Sequence, residues 1–151
     1  MASREFRIVS NGIHPLLLGM TREQLGRVMR EEPKISPSRI AGEEVLQFES
    51  ANARVVMREG RTVEIAVTPP ANVIFEDKPL FQDPSVWRAV VAEDGDAQEC
   101  LGFIVLQKSG LTLTGFHDND PAQLAITAFE PGRWDAMQGR MKPFGTQTNC
   151  S

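Results

Sequence analysis

Hydrophobic positions along the chain change period several times, and each change marks an element. At Thr21-Arg22-Glu23-Gln24 the S/T-x-x-E/Q spacing of a capping box can satisfy the free N–H groups of a helix start. Met20 and Leu25 stand where a hydrophobic staple would join them. Leu25, Val28 and Met29 then recur at i, i+3 and i+4, and Glu32-Pro33 forbids further helix, so a helix is predicted from about Arg22 to Glu32. Three strand-like runs follow, Val45 to Glu49, Arg54 to Arg58 and Thr62 to Thr68. In the last, Val63, Ile65 and Val67 alternate with Thr62, Glu64 and Ala66. Glu59-Gly60 is placed as a tight hairpin turn, and Pro69-Pro70 ends the third run because proline has no N–H for a sheet ladder.

The same order then returns. Asp83-Pro84 combines an N-cap with proline at the first helical position, and Val86, Ala89 and Val90 form a stripe ending at Gly95. Strand-like runs succeed it at Leu101 to Gln107, Leu111 to Phe116 and Gln123 to Phe129. Near the third-run ends stand Ile65-Ala66-Val67-Thr68 and Leu124-Ala125-Ile126-Thr127, apolar-Ala-apolar-Thr both times. Between the halves, Asn72 to Phe81 carries Val73-Ile74-Phe75, a further strand-like run too apolar for a flexible linker.

These periods predict an α+β domain over residues 1–144, built as tandem helix-plus-three-strand repeats at about 18–70 and 80–131, with a polar tail at 145–151. One apolar stripe per helix and one apolar face per third strand place the helices on one face of an antiparallel sheet. The other face is left open. By alternation it carries Gln47, Glu49, Arg54, Arg58, Glu64, Thr112, Thr114, Gln123 and Thr127, with Ala125 and Phe129 among them.

Leu18-Gly19-Met20-Thr21-Arg22-Glu23-Gln24-Leu25, followed by a helix, a proline and a three-stranded run, resembles the Gly-Met-Thr helix entry of SmpA/BamE-like and β-lactamase-inhibitor-like (BLIP-like) proteins. The motif covers residues 18 to 33, and the order of elements extends the likeness to about Phe129. The resemblance implies a sheet face presented to a protein partner, and no catalytic site. The chain departs from it in lacking a lipoprotein signal and a matching pair of cysteines, which turns the expectation toward a bacterial toxin-immunity protein and away from an exported inhibitor.

Charge and candidate chemistry adjust this picture little. A net charge of −4 disfavours nucleic acid and anionic membranes, both of which need a basic surface, and suits a basic partner. Glu93, Asp94, Asp96 and Glu99 cluster after the second helix with no intervening Lys or Arg, as a negative patch or a solvated loop. Met1 to Arg7 lacks the apolar run of a signal peptide and Leu16-Leu17-Leu18 is far too short to span a bilayer, so a cytoplasmic location is expected. Cys100 and Cys150 read as free thiols. Trp87 reads as core, and Trp134 as packed more than as an interface anchor.

His117-Asp118-Asn119-Asp120 assembles groups that could hold a metal or work as an acid and base, but Asp, Asn and the following Pro121 are also what a turn between strands requires. With His14 the only other histidine and no His-x-x-x-His or Cys-x-x-Cys spacing, the turn is the stronger reading and no metal or cofactor is expected. No phosphate-cradling glycine motif or nucleophile elbow occurs. The leading expectation is a cytoplasmic protein-binding module of inhibitor or toxin-immunity type, not an enzyme. The alternatives are an assembly scaffold and a small hydrolase using His117, Asp118 and Asp120.

Overall fold

The structure, a computed structural model, describes residues 5–144. In chain order the elements are β1 (Glu5–Val9), β2 (Gly12–His14), β3 (Leu16–Leu17), α1 (Arg22–Met29), β4 (Lys34–Pro37), β5 (Glu43–Phe48), β6 (Ala53–Arg58), β7 (Arg61–Val67), β8 (Asn72–Phe75), β9 (Lys78–Pro79), α2 (Pro84–Asp94), β10 (Gln98–Cys100), β11 (Phe103–Leu106), β12 (Leu111–Thr114), β13 (Ala125–Phe129) and β14 (Lys142–Pro143). Short 3-10 segments occupy Glu49–Ala51, Pro121–Gln123 and Asp135–Arg140.

The expected architecture of tandem helix-plus-three-strand repeats, with helices on one face of an antiparallel sheet, does not describe the molecule. Among the described residues strand accounts for 41% and helix of all kinds for 22%, so this part of the chain is mostly β, and its strands form two sheets. Nine strands make the larger, in the order β14-β10-β11-β12-β13-β7-β6-β5-β4, and β3-β2-β1-β8-β9 the smaller. The smaller sheet escaped the periodicity argument because its strands are two to five residues long and its central pairing is distant. Glu5 lies opposite Asn72 in the parallel β1–β8 pair. Val73-Ile74-Phe75 is thus a strand, but in this second sheet.

Both helix starts follow their local chemistry. The Thr21 N–H donates to Gln24 Oε1 at 2.9 Å and the Gln24 N–H to Thr21 Oγ1 at 3.2 Å, the reciprocal pair of a capping box. α1 stops three residues short of expectation because Arg30 turns left-handed at φ 52° and its N–H closes on the Gly26 carbonyl. Glu31 is then free to accept from the Ser50 N–H and hydroxyl at 3.0 and 2.7 Å. At α2, Asp83 accepts from Ser85, which holds its carboxyl below the usual range, and Gly95 ends the helix at φ 77°.

Glu59 and Gly60, at φ 53° and 76°, form the left-handed two-residue turn whose twist suits the β6–β7 hairpin. Leu101-Gly102 does the same between β10 and β11, so the expected run from Leu101 to Gln107 opens on a turn and holds the single strand β11. The two apolar-Ala-apolar-Thr tetrapeptides end on neighbouring strands, with Val67 opposite Ile126.

One main core joins these pieces. Leu46, Val55, Ile65, Ile126, Leu113 and Ile104 line one face of the large sheet and pack with Phe6, Ile13 and Val73 of the small sheet, Leu25 and Met29 of α1, and Val86, Trp87 and Val90 of α2. Each fully buried Leu or Ile there contributes about 1.5–3 kcal/mol relative to exposure. Thr62 ties α1 to the sheet, since its N–H and hydroxyl both donate to the Met20 carbonyl at 2.9 and 3.0 Å.

Candidate functional site

The second face of the large sheet is where the sequence places its binding residues, and strand register defines its composition. Lys34, Gln47, Arg54, Ala66, Thr127, Thr112, Val105, Gln98 and Pro143 lie opposite one another in a row across all nine strands. Side chains two residues away along each strand point to the same face. Thr114 and Phe103 therefore stand beside this row, as do Ala125 and Phe129.

Part of this face is covered. After β13 the chain turns back, and Trp134 packs against Phe103 (ring centroids 5.4 Å apart, edge-on) and Phe129 (6.3 Å). Met137 and Met141 add to a small second core over Cys100, Val105 and Phe129. Phe129 and Thr112, both expected on an open face, are each 2% exposed. Alternation assigned them to the correct face, but a period of two carries no information about what lies over it.

An ionic cluster fixes this returning segment. Arg133 grips Glu43 with both terminal nitrogens at 2.8 and 2.9 Å and donates from Nε to Glu64 at 2.8 Å. Arg58 bonds Glu130 and approaches Glu43 to 3.7 Å. The Glu43 side chain is 2% exposed and that of Arg133 12%. The Arg133 hydrogen bonds hold the Glu43 carboxyl below its ordinary range, against the opposing effect of burial. Glu43 in turn raises the Arg133 guanidinium. Arg58 and Glu64, expected to face a partner, are committed to this cluster. Glu43 and Arg133 were not singled out from sequence, since 90 residues separate them and neither belongs to a motif.

The uncovered part of the face holds a depression of about 370 Å³ bounded by Gln47, Asn52, Arg54, Ala66, Thr68, Phe103, Thr114, Gln123, Ala125 and Thr127. Ala66 and Ala125 are short, so the floor falls away between the longer Gln47 and Arg54 on one side and Phe103 on the other. Gln47 donates to the Ala53 carbonyl at 3.3 Å and Thr114 to the Gln123 carbonyl at 2.8 Å, which stiffens two walls. Arg54 is exposed and has no ion-pair partner among the described residues. The arrangement offers one free guanidinium, three amides and several hydroxyls to a docked segment.

The remaining candidates lie elsewhere. Glu49 sits in the 3-10 turn after β5 and pairs with Lys34 at 3.0 Å. The acidic cluster is split, because Asp94 is 6% exposed and accepts from the Ser109 N–H and hydroxyl at 2.8 and 2.9 Å and from the Asp96 N–H. Glu93 and Asp96 are exposed, and Glu99 is half-buried on β10. Asp94 thus acts as a loop clasp and not as part of a presented patch.

Phe116 to Asn119 form a turn, and Asp120 caps the 3-10 segment Pro121–Gln123. The His117 ring stands edge-on to Phe144 with Nδ1 buried and without a hydrogen-bond partner, while Asp120 accepts from the Ala122 N–H at 3.2 Å. No hydrogen bond joins the imidazole to Asp118 or Asp120. Among the described residues no group of three His, Cys, Asp or Glu could hold a metal, and no helix is long and apolar enough to cross a membrane. Cys100 is a buried free thiol; Cys150 and the polar tail at 145–151 lie outside the described residues.

Comparison with protein families, with curated proteins and with solved structures finds no match.

Proposed function

We propose that this chain is a protein-binding module of inhibitor or toxin-immunity type, which neutralises a protein partner by seating a segment of it on the open part of the nine-stranded face. The observation that carries the reading is the depression floored by Ala66 and Ala125, with Arg54 unpaired at its wall. A docked segment places a carboxylate or carbonyl oxygen against Arg54 and takes hydrogen bonds from Gln47 and Thr127. A rigid antiparallel sheet suits this role, because little conformational freedom is lost on docking.

The test is to identify the stoichiometric partner of the full chain by co-purification and mass spectrometry, and then to measure association and dissociation for variants. Ala125→Arg fills the floor and Arg54→Glu reverses the wall charge. Each is expected to weaken the complex more than tenfold, mainly by faster dissociation. Arg27→Glu, on the exposed side of α1, should leave affinity unchanged. If the α1 variant abolishes binding while both sheet variants bind normally, the assigned face is wrong.

A further inference from the structure

A concavity larger than the depression on that face lies elsewhere in the molecule. It is a cleft of about 500 Å³ between the start of α2 and the turn that follows β12, within the size range of small-molecule sites. Three rings build it. Phe81 and Phe116 stack nearly parallel, 9° apart with centroids at 5.8 Å, and Trp87 tilts against Phe116 at 6.2 Å. Trp87 and Phe116 are 9% and 7% exposed, so both are held by the core and show only part of their surface to the cleft.

The charge of the lining is one-sided. Arg88 is exposed, with its guanidinium carbon 5.2 Å from the Trp87 ring centroid, and it has no ion-pair partner among the described residues. Among the described residues no carboxylate lines the cleft. Asp83 and Asp120 flank it in sequence, but each carboxylate accepts from a local backbone N–H, of Ser85 and Ala122 respectively. The lining amides of Gln82 and Asn119 make no side-chain hydrogen bond among the described residues. A cationic ligand would meet an uncompensated arginine here, whereas an anion meets a guanidinium already oriented by its contact with the indole.

We propose that this cleft binds a planar aromatic acid, with the ring against Phe81, Phe116 and Trp87 and the carboxylate on Arg88. Ring burial supplies the attraction, and the guanidinium selects the acid over neutral or basic analogues of the same shape. Gln82 and Asn119 are placed to bond a second polar substituent.

The experiment titrates the 15N-labelled full chain with 2-naphthoate and, separately, with neutral 2-naphthylmethanol, reading amide chemical shifts. Saturable shifts are expected at Gln82, Arg88, Gly115 and Asn119, with the alcohol at least tenfold weaker. Arg88→Glu should weaken naphthoate binding at least tenfold, and Arg88→Gln should do so to a smaller extent. Arg88 is exposed on its helix, and an unchanged amide spectrum in the absence of ligand checks that both variants fold. The proposal is overturned by absence of saturation at millimolar naphthoate, by shifts confined to other regions, by equal affinity for the alcohol, or by unchanged affinity in both Arg88 variants.

Discussion

Replacing Arg133 with methionine is the most informative perturbation of this fold, because it removes one side of a buried ion cluster without emptying its volume. The guanidinium makes three charged hydrogen bonds of 2.8–2.9 Å, two to Glu43 and one to Glu64. Afterwards the Glu43 carboxylate, whose side chain is 2% exposed, keeps only Arg58, 3.7 Å away. Removing one partner of a buried pair costs about 3–5 kcal/mol, and the surviving arginine puts the expectation near the lower end, about 3 kcal/mol. For a chain of this length that corresponds to a fall in Tm of roughly 6–12 °C.

The pH dependence of this loss has a definite sign. The folded Glu43 carboxyl titrates below its unfolded value, first because of Arg133. The stabilisation is therefore fully present above the unfolded pKa, about 4.3, and is lost as pH falls through the depressed folded value. In Arg133→Met the main cause of depression is gone and burial, which raises the pKa, remains. The difference between wild type and variant should thus be largest near pH 7 and shrink below about pH 4. Urea unfolding of both proteins at pH 7.0, 5.0 and 3.5 measures it. A difference under 1 kcal/mol at pH 7, or one of equal size at pH 7 and 3.5, would refute this account of the cluster.

Two further outcomes follow from single contacts. Thr21→Ala removes the capping oxygen of α1 and should cost about 1 kcal/mol by denaturant midpoint, while Thr21→Ser should restore most of it. Asp94→Ala strips the Ser109 and Asp96 N–H groups of their acceptor and should cost about 1–3 kcal/mol, with faster amide exchange at both sites. By contrast, Asp96→Lys, at an exposed position, should change stability by less than about 0.5 kcal/mol.

What the sequence by itself determined are the features set by residues close together in the chain. The Thr21–Gln24 capping box, the Asp83-Pro84 start and Gly95 stop of α2, and the Glu59-Gly60 hairpin depend on local backbone chemistry and recur in the structure. Strand alternation likewise put Gln47, Arg54, Thr114, Ala125 and Thr127 on one face, where they border a single depression. Tertiary structure alone decided the second sheet, whose short strands acquire a pattern only when Glu5 meets Asn72. It also decided which part of the large face stays open, since Trp134 and Arg133 return from beyond β13 to cover Phe129 and engage Glu43. Periodicity reports which way a side chain points, because backbone geometry is local. Whether that direction leads to solvent, to an ion pair or to a second core depends on segments tens of residues away, brought there by burial of surface that no local pattern records.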